Sequence, residues 1–153
     1  MTVWGIDLGV RSLYVARIED GHLDLYSHTL LKIHKQTRST ELRTLLQWLQ
    51  PLWLMGGEGS VFCEEPPLAG ARNLQTFLHL SQTSGVVACA IPTVLVQVSS
   101  WKHGTVGNGS ASKDLVSRWL LRRHPAFAEA CAGDQNLVDA TCIALYGQTM
   151  AQR

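Results

Sequence analysis

Charged side chains are sparse in this 153-residue chain, 16% against 46% hydrophobic, and they nearly cancel, with 13 Lys and Arg against 12 Asp and Glu for a net charge of +1. That balance excludes an intrinsically disordered tail, which needs low hydrophobicity and high net charge. It also excludes a domain that grips nucleic acid by bulk positive charge alone. Long apolar runs are missing: the longest, Gly85 to Ile91, is cut by Pro92 and falls far short of the ~20 residues that span a bilayer, so no membrane partner is expected. Met1 to Asp7 carries no basic stretch of the kind that opens an export signal, and a cytoplasmic protein is the expectation. Cysteine is limited to Cys63, Cys89, Cys131 and Cys142, with no C-x-x-C and no Cys/His ligand spacing. Reduced, mostly buried small hydrophobes follow. Repeats, linkers and low-complexity stretches are also absent. What is present is the material of one globular domain over 1–153, long enough to bury roughly two thirds of its unfolded surface.

Val3 to Leu8 reads as an apolar strand stopped by Gly9, and Leu13 to Ile18 alternates as its hairpin partner. Asp20-Gly21 is a turn signal, and His22 to Leu31 alternates again, giving three antiparallel strands. Leu42, Leu45, Leu46, Leu49 and Trp53 then recur at helical spacing, with Thr40 as expected N-cap and Pro51 as the expected end or kink. Ser60 to Glu65 is a fourth strand halted by Pro66-Pro67, Asn73 to Ile91 a long helix, and Thr93 to Val98 a fifth strand. The nearly all-apolar composition of that last strand predicts that both its faces are covered. A loop over Gly104 to Ser112, a helix over Lys113 to Arg123 and a last helix from Gln135 to Met150 complete the chain. The order describes an α/β fold, one mixed five-stranded sheet flanked by helices.

Two acids stand at strand ends among apolar residues, Asp7 in Trp4-Gly5-Ile6-Asp7-Leu8-Gly9 and Glu64 after Val61-Phe62-Cys63. A lone acid there is most simply a loop anchor. Two on separate strands can meet at one cation, which offsets the cost of burying them. Asp139 lies inside the apolar run from Gln135 to Leu145, with Asn136 three residues earlier and so on the same helix face. Asp134 lies well off that face and is better placed as the helix N-cap. Oxygen ligands of this kind suit Mg²⁺, and two such ions about 3.5–4 Å apart can activate water and stabilise a leaving oxygen at a phosphodiester. Setting the three acids aside as metal-neutralised leaves 13 positive against 9 negative charges, or +4, which makes a polyanion a sensible partner. The positive charge is also concentrated: from Lys102 to Arg123 there are Lys102, Lys113, Arg118, Arg122 and Arg123 against Asp114 alone.

These residues resemble those of the RuvC-type Holliday junction resolvases in the RNase H-like nuclease superfamily, over nearly the whole chain. Gly5-Ile6-Asp7-Leu8-Gly9 is similar to the family's first-strand motif, and Phe62-Cys63-Glu64-Glu65-Pro66 to its fourth-strand motif. The segment from Trp101 to Lys113 keeps Lys102, Gly107, Gly109, Ala111 and Lys113 in the family's order, and Val138-Asp139-Ala140 supplies the last acid. The resemblance implies an RNase H-like fold and a metal-dependent endodeoxyribonuclease acting on four-way junctions as a homodimer. Asp7, Glu64 and Asp139 would hold two Mg²⁺ or Mn²⁺ ions with Asn136 assisting, and Lys113 would act catalytically. Arg72, Asn73, Lys102, Lys113, Arg118 and Arg122 would contact DNA, and the helix from Asn73 to Ile91 would form the dimer interface. Two departures stand out. Asn136 occupies a position where the family often has a fourth acid, and Pro66 to Gly70 occupies the place of an aromatic that probes the junction centre. A nuclease for flaps or forks and a branched-DNA-binding module that does not cut are the alternatives. Helicase partner and cleavage sequence preference stay open.

Overall fold

The computed structural model describes residues 1–31, 36–66 and 73–152. Strands β1 (Thr2–Leu8), β2 (Ser12–Glu19) and β3 (His22–Thr29) form an antiparallel meander. Asp20 and Gly21 join β2 to β3 with φ of 48° and 83°, the left-handed pair that a two-residue hairpin turn matching strand twist requires. Strands β4 (Ser60–Glu65) and β5 (Thr93–Gln97) add to β1 in parallel, so the sheet order is β3-β2-β1-β4-β5.

Helices α1 (Arg38–Met55) and α2 (Leu74–Ala90) lie on one face of the sheet. Helices α3 (Val98–Val106), α4 (Lys113–Arg123), α5 (Pro125–Ala130) and α6 (Gln135–Ala151) gather on the other. Alternation along β1 divides the core. Trp4 and Ile6 pack with Leu45, Leu49 and Val87 towards α1 and α2, while Val3 packs with Phe62, Ala140, Ile143 and Ala144 towards α6. Because side chains alternate, Gly5 and Asp7 share the α6 side with Val3. Arg38 ties the first face to the turn after Asp7, donating to the Val10 carbonyl at 2.6 Å, the His79 carbonyl at 2.7 Å and Thr83 Oγ1 at 2.6 Å.

Several expected boundaries move. Thr37, not Thr40, caps α1, its hydroxyl accepting from the Thr40 amide. Pro51 neither ends nor visibly stops that helix, which runs four residues further to Met55; Pro51 is exposed, on the side where helical carbonyls turn towards water and a missing amide bond costs least. Val98 begins α3 instead of ending β5, and α3 runs into the segment expected as a loop, so the loop starts only at Gly107. Gly107 closes α3 with φ of 82°, the left-handed position for which glycine is suited. The apolar β5 is not covered on both faces: as the edge strand it leaves Val94 54% and Leu95 40% exposed. Among the described residues no helix is long and apolar enough to cross a membrane, and the cysteines are free, three buried and Cys89 exposed.

Candidate active site

Parallel pairing sets Gly5 beside Phe62 and Ile6 beside Cys63, so the next residue on each strand is an acid, Asp7 on β1 and Glu64 on β4. Both extend the rows of Gly5 and Phe62 and therefore project to the α6 face. Glu65 belongs to the opposite row. The third acid is brought by α6, which crosses β1 at very short range: a Cβ built on Gly5 would lie 2.1 Å from the Ala140 carbonyl oxygen and 2.4 Å from the Ala144 amide nitrogen. Asp139 immediately precedes Ala140. Glycine at position 5 therefore lets a helix settle on the strand one residue pair away from Asp7, and Asp139 is left 9% exposed beside an 8% exposed Asp7.

Electrostatics record the same convergence. Burial pushes the Asp7 carboxyl up to about 8, with further upward pressure from Glu64 and Asp139 and a downward pull from Lys113. Glu64 is raised by burial and by Asp139, against a hydrogen bond from Trp101 and the charges of Lys102 and Lys113. Asp139 is raised by burial, opposed by a hydrogen bond from Gln135 and by the same two lysines. Lys113 is the first residue of α4 and exposed, and all three acids sense its charge. Among the described residues none of the three acids forms an ion pair. Buried carboxylates that repel one another without a paired cation are a strained arrangement.

The remaining expected residues fall into place unevenly. Lys102 is half-buried, donating from Nζ to the Ala111 carbonyl at 2.9 Å and lying over the Trp101 ring, so it braces the segment before α4. Asn73 caps α2, its side-chain oxygen accepting from the Gln75 and Thr76 amides. Arg118 is exposed and paired with Asp114 at 2.8 Å, and Arg122 is exposed in the last turn of α4. Arg72 lies outside the described residues, as does most of the Pro66 to Gly70 segment. Asp134 caps α6, accepting from the Asn136 and Leu137 amides. The side chain that reaches Asp139 is Gln135, donating from Nε2 to Oδ1 at 2.8 Å, not Asn136. The i,i+4 spacing leaves two side chains about 40° apart around a helix, whereas i,i+3 leaves them about 60° apart. Trp101, which donates from Nε1 to Glu64 Oε2 at 3.1 Å, is the other polar partner that sequence reasoning did not find.

Among the described residues no three Asp, Glu, His or Cys side chains close into a ready-made metal cage. The chemistry of the donors still fits a hard divalent cation, since the three acids offer only oxygen and their raised proton affinities mark an uncompensated negative charge that such an ion would relieve.

An α/β sheet of this order, with acids on two adjacent strands and a helix crossing them, is the RNase H-like fold. Within it, the fold is of the RuvC type. It superposes on Thermus thermophilus RuvC in complex with Holliday junction substrate with a TM-score of 0.74, at 18% identity over 99% of this chain and 95% of that one. A second Thermus thermophilus RuvC structure gives 0.66, at 18% identity over 99% and 96%. No family model and no curated protein sequence matches the chain.

Proposed function

We propose that this protein is a metal-dependent endonuclease of branched DNA, a Holliday junction resolvase that hydrolyses paired phosphodiesters during recombination and repair. The observation that carries the reading is the convergence of Asp7, Glu64 and Asp139 from β1, β4 and α6 under the charge of Lys113. Asp7, Glu64 and Asp139 would hold Mg²⁺ or Mn²⁺, with Asn136 as a neutral fourth oxygen. Ions held there would supply an activated water and stabilisation of the leaving oxygen. The chain's own residues do the rest. Lys113, exposed at the start of α4, meets the scissile phosphate as charge develops on it, and Lys102 holds the 102–111 segment so that Lys113 faces the acids. Arg118 and Arg122 extend the positive surface along α4 to flanking phosphates.

A four-way junction has approximate two-fold symmetry, so paired incisions call for a symmetric dimer. In support, α2 leaves Leu74, Leu78, Gly85 and Cys89 exposed along one face. A groove of about 860 Å³ opens beside it between α1 and α2, with Leu42, Leu46, Val86 and Ala90 in its lining. Leu78→Glu should therefore convert a dimer to a monomer in light scattering at micromolar concentration.

The test of the activity is Mg²⁺-dependent nicking of a labelled four-way junction compared with flap, fork and duplex. Symmetric cuts confined to the junction support resolution. Preference for flaps or forks would assign a different branched substrate, and tight binding with no cutting at any Mg²⁺ or Mn²⁺ concentration would leave only a binding module.

A further inference from the structure

Two of the three acids are each held by one neutral donor that belongs to no metal-binding set. Trp101 is fully buried in α3, and its indole N–H, a donor with no acceptor capacity, is directed at Glu64 Oε2 at 3.1 Å. Its ring is in turn covered by the Lys102 ammonium, 5.6 Å from the centroid, and Lys102 is anchored on the Ala111 carbonyl. On the other side, Gln135 donates to Asp139 Oδ1 at 2.8 Å, while its own carbonyl oxygen accepts from Ser117 Oγ at 2.9 Å. Ser117 stands one turn after Lys113 on α4. Each carboxylate thus has one oxygen engaged, Glu64 by a donor on α3 and Asp139 by a donor on its own helix that Ser117 of α4 holds in turn, and its other oxygen is left for a ligand.

Both donors are neutral, and this matters for a site that must gather a cation. A lysine or arginine in either place would neutralise the carboxylate and compete with the ion, whereas an indole or carboxamide restricts rotation without removing charge. A buried indole whose N–H found no acceptor would be costly, so Glu64 and Trp101 specify each other's rotamer.

We propose that Trp101 and Gln135 are positioning residues that orient Glu64 and Asp139 for divalent-metal binding, with Ser117 linking Asp139 to the helix that carries Lys113. The inference rests on the metal-dependent reading above and extends it to residues that do not themselves touch the ion.

The test uses the full chain labelled with ¹⁵N-tryptophan. The chain has five indole N–H groups, and that of Trp101 is identified by its absence from Trp101→Phe. Titration with Mg²⁺ should move this resonance, and Glu64→Gln should move it without metal. Calorimetric titration with Mn²⁺ should show binding weakened about 10-fold in Trp101→Phe and in Gln135→Leu, the lower end of the effect of removing an outer partner of a metal ligand. Should Trp101→Phe fail to fold, the indole resonance of the wild type and the Gln135→Leu affinity decide the matter. A stationary Trp101 resonance while metal binds overturns the proposal, and a folded variant that binds Mn²⁺ as tightly as the wild type overturns it for that carboxylate. Absence of any metal binding by the wild type overturns the metal-dependent reading as well, and is told apart by the flat wild-type titration.

Discussion

The backbone of Ala140 lies against the α-carbon of Gly5 so closely that a methyl group added there would sit 2.1 Å from the Ala140 carbonyl oxygen. Asp139 on α6 is adjacent in sequence to that contact, and Asp7 on β1 is two residues along from it. Close packing of one helix on one strand therefore sets the spacing of Asp7 and Asp139.

Gly5→Ala should push α6 away from β1. Overpacking against backbone belongs at the upper end of its usual range, on the order of 3 kcal/mol, which corresponds to a melting temperature lower by roughly 6–12 °C. Mg²⁺-dependent nicking should fall about 100-fold at temperatures where the variant is still folded, because displacement of a catalytic group by about 1 Å is enough for such a loss. Thermal melts and single-turnover assays check both. A wild-type melting temperature would show that α6 does not rest on Gly5.

Asp7→Asn should abolish cleavage, leave junction binding intact or tighter, and stabilise the metal-free protein. Its folded-state carboxyl titrates at about 8, above the ordinary 3.8. Between those values the folded state holds a proton that the unfolded state releases, so metal-free wild-type stability declines as pH rises from about 4 to about 8. In Asp7→Asn this contribution is gone, and melting at pH 8 should be at least about 3 °C higher than wild type. Saturating Mg²⁺ should raise the wild-type melting temperature and leave the variant nearly unmoved. A variant less stable than wild type at pH 8 without metal would contradict the cost of burying Asp7 beside Glu64 and Asp139.

Asp134 and Asn136 should separate cleanly. Asp134→Ala removes the cap on α6 and should cost about 1 kcal/mol, with Mn²⁺ affinity unchanged in calorimetry. Asn136→Asp should preserve or raise nicking at low Mg²⁺. A shift in metal affinity confined to the Asp134 variant would reverse the two roles.

Lys113→Ala should lower the single-turnover rate about 100-fold at saturating enzyme while weakening junction binding far less, as expected for an interaction that strengthens in the transition state. Arg122→Ala should instead weaken binding to all DNA shapes alike and reduce the salt slope by about one unit. Cleavage by bound Lys113→Ala at the wild-type rate would leave Lys113 as part of the basic surface only.

Local chemistry was readable along the chain wherever a few neighbouring residues decide the outcome. The Asp20-Gly21 turn and the Asp134 cap depend on local backbone preferences, and Asp7, Glu64 and Asp139 could be singled out as acids in apolar runs before any tertiary contact was known. Pro51 and the 98–106 segment show where this stops. Pro51 is tolerated because α1 turns it to solvent, and Val98 enters a helix although it continues an apolar run.

The order of strands and the edge position of β5 were decided by packing. The sequence by itself determined which side chains carry charge into an apolar setting, because pattern and burial cost act residue by residue. Only the tertiary structure decided what holds those charges in place. Trp101 is 37 residues from Glu64 and Gln135 is 18 from Ser117, and contacts across such separations depend on how α3, α4 and α6 settle on the sheet, for which no local spacing rule exists.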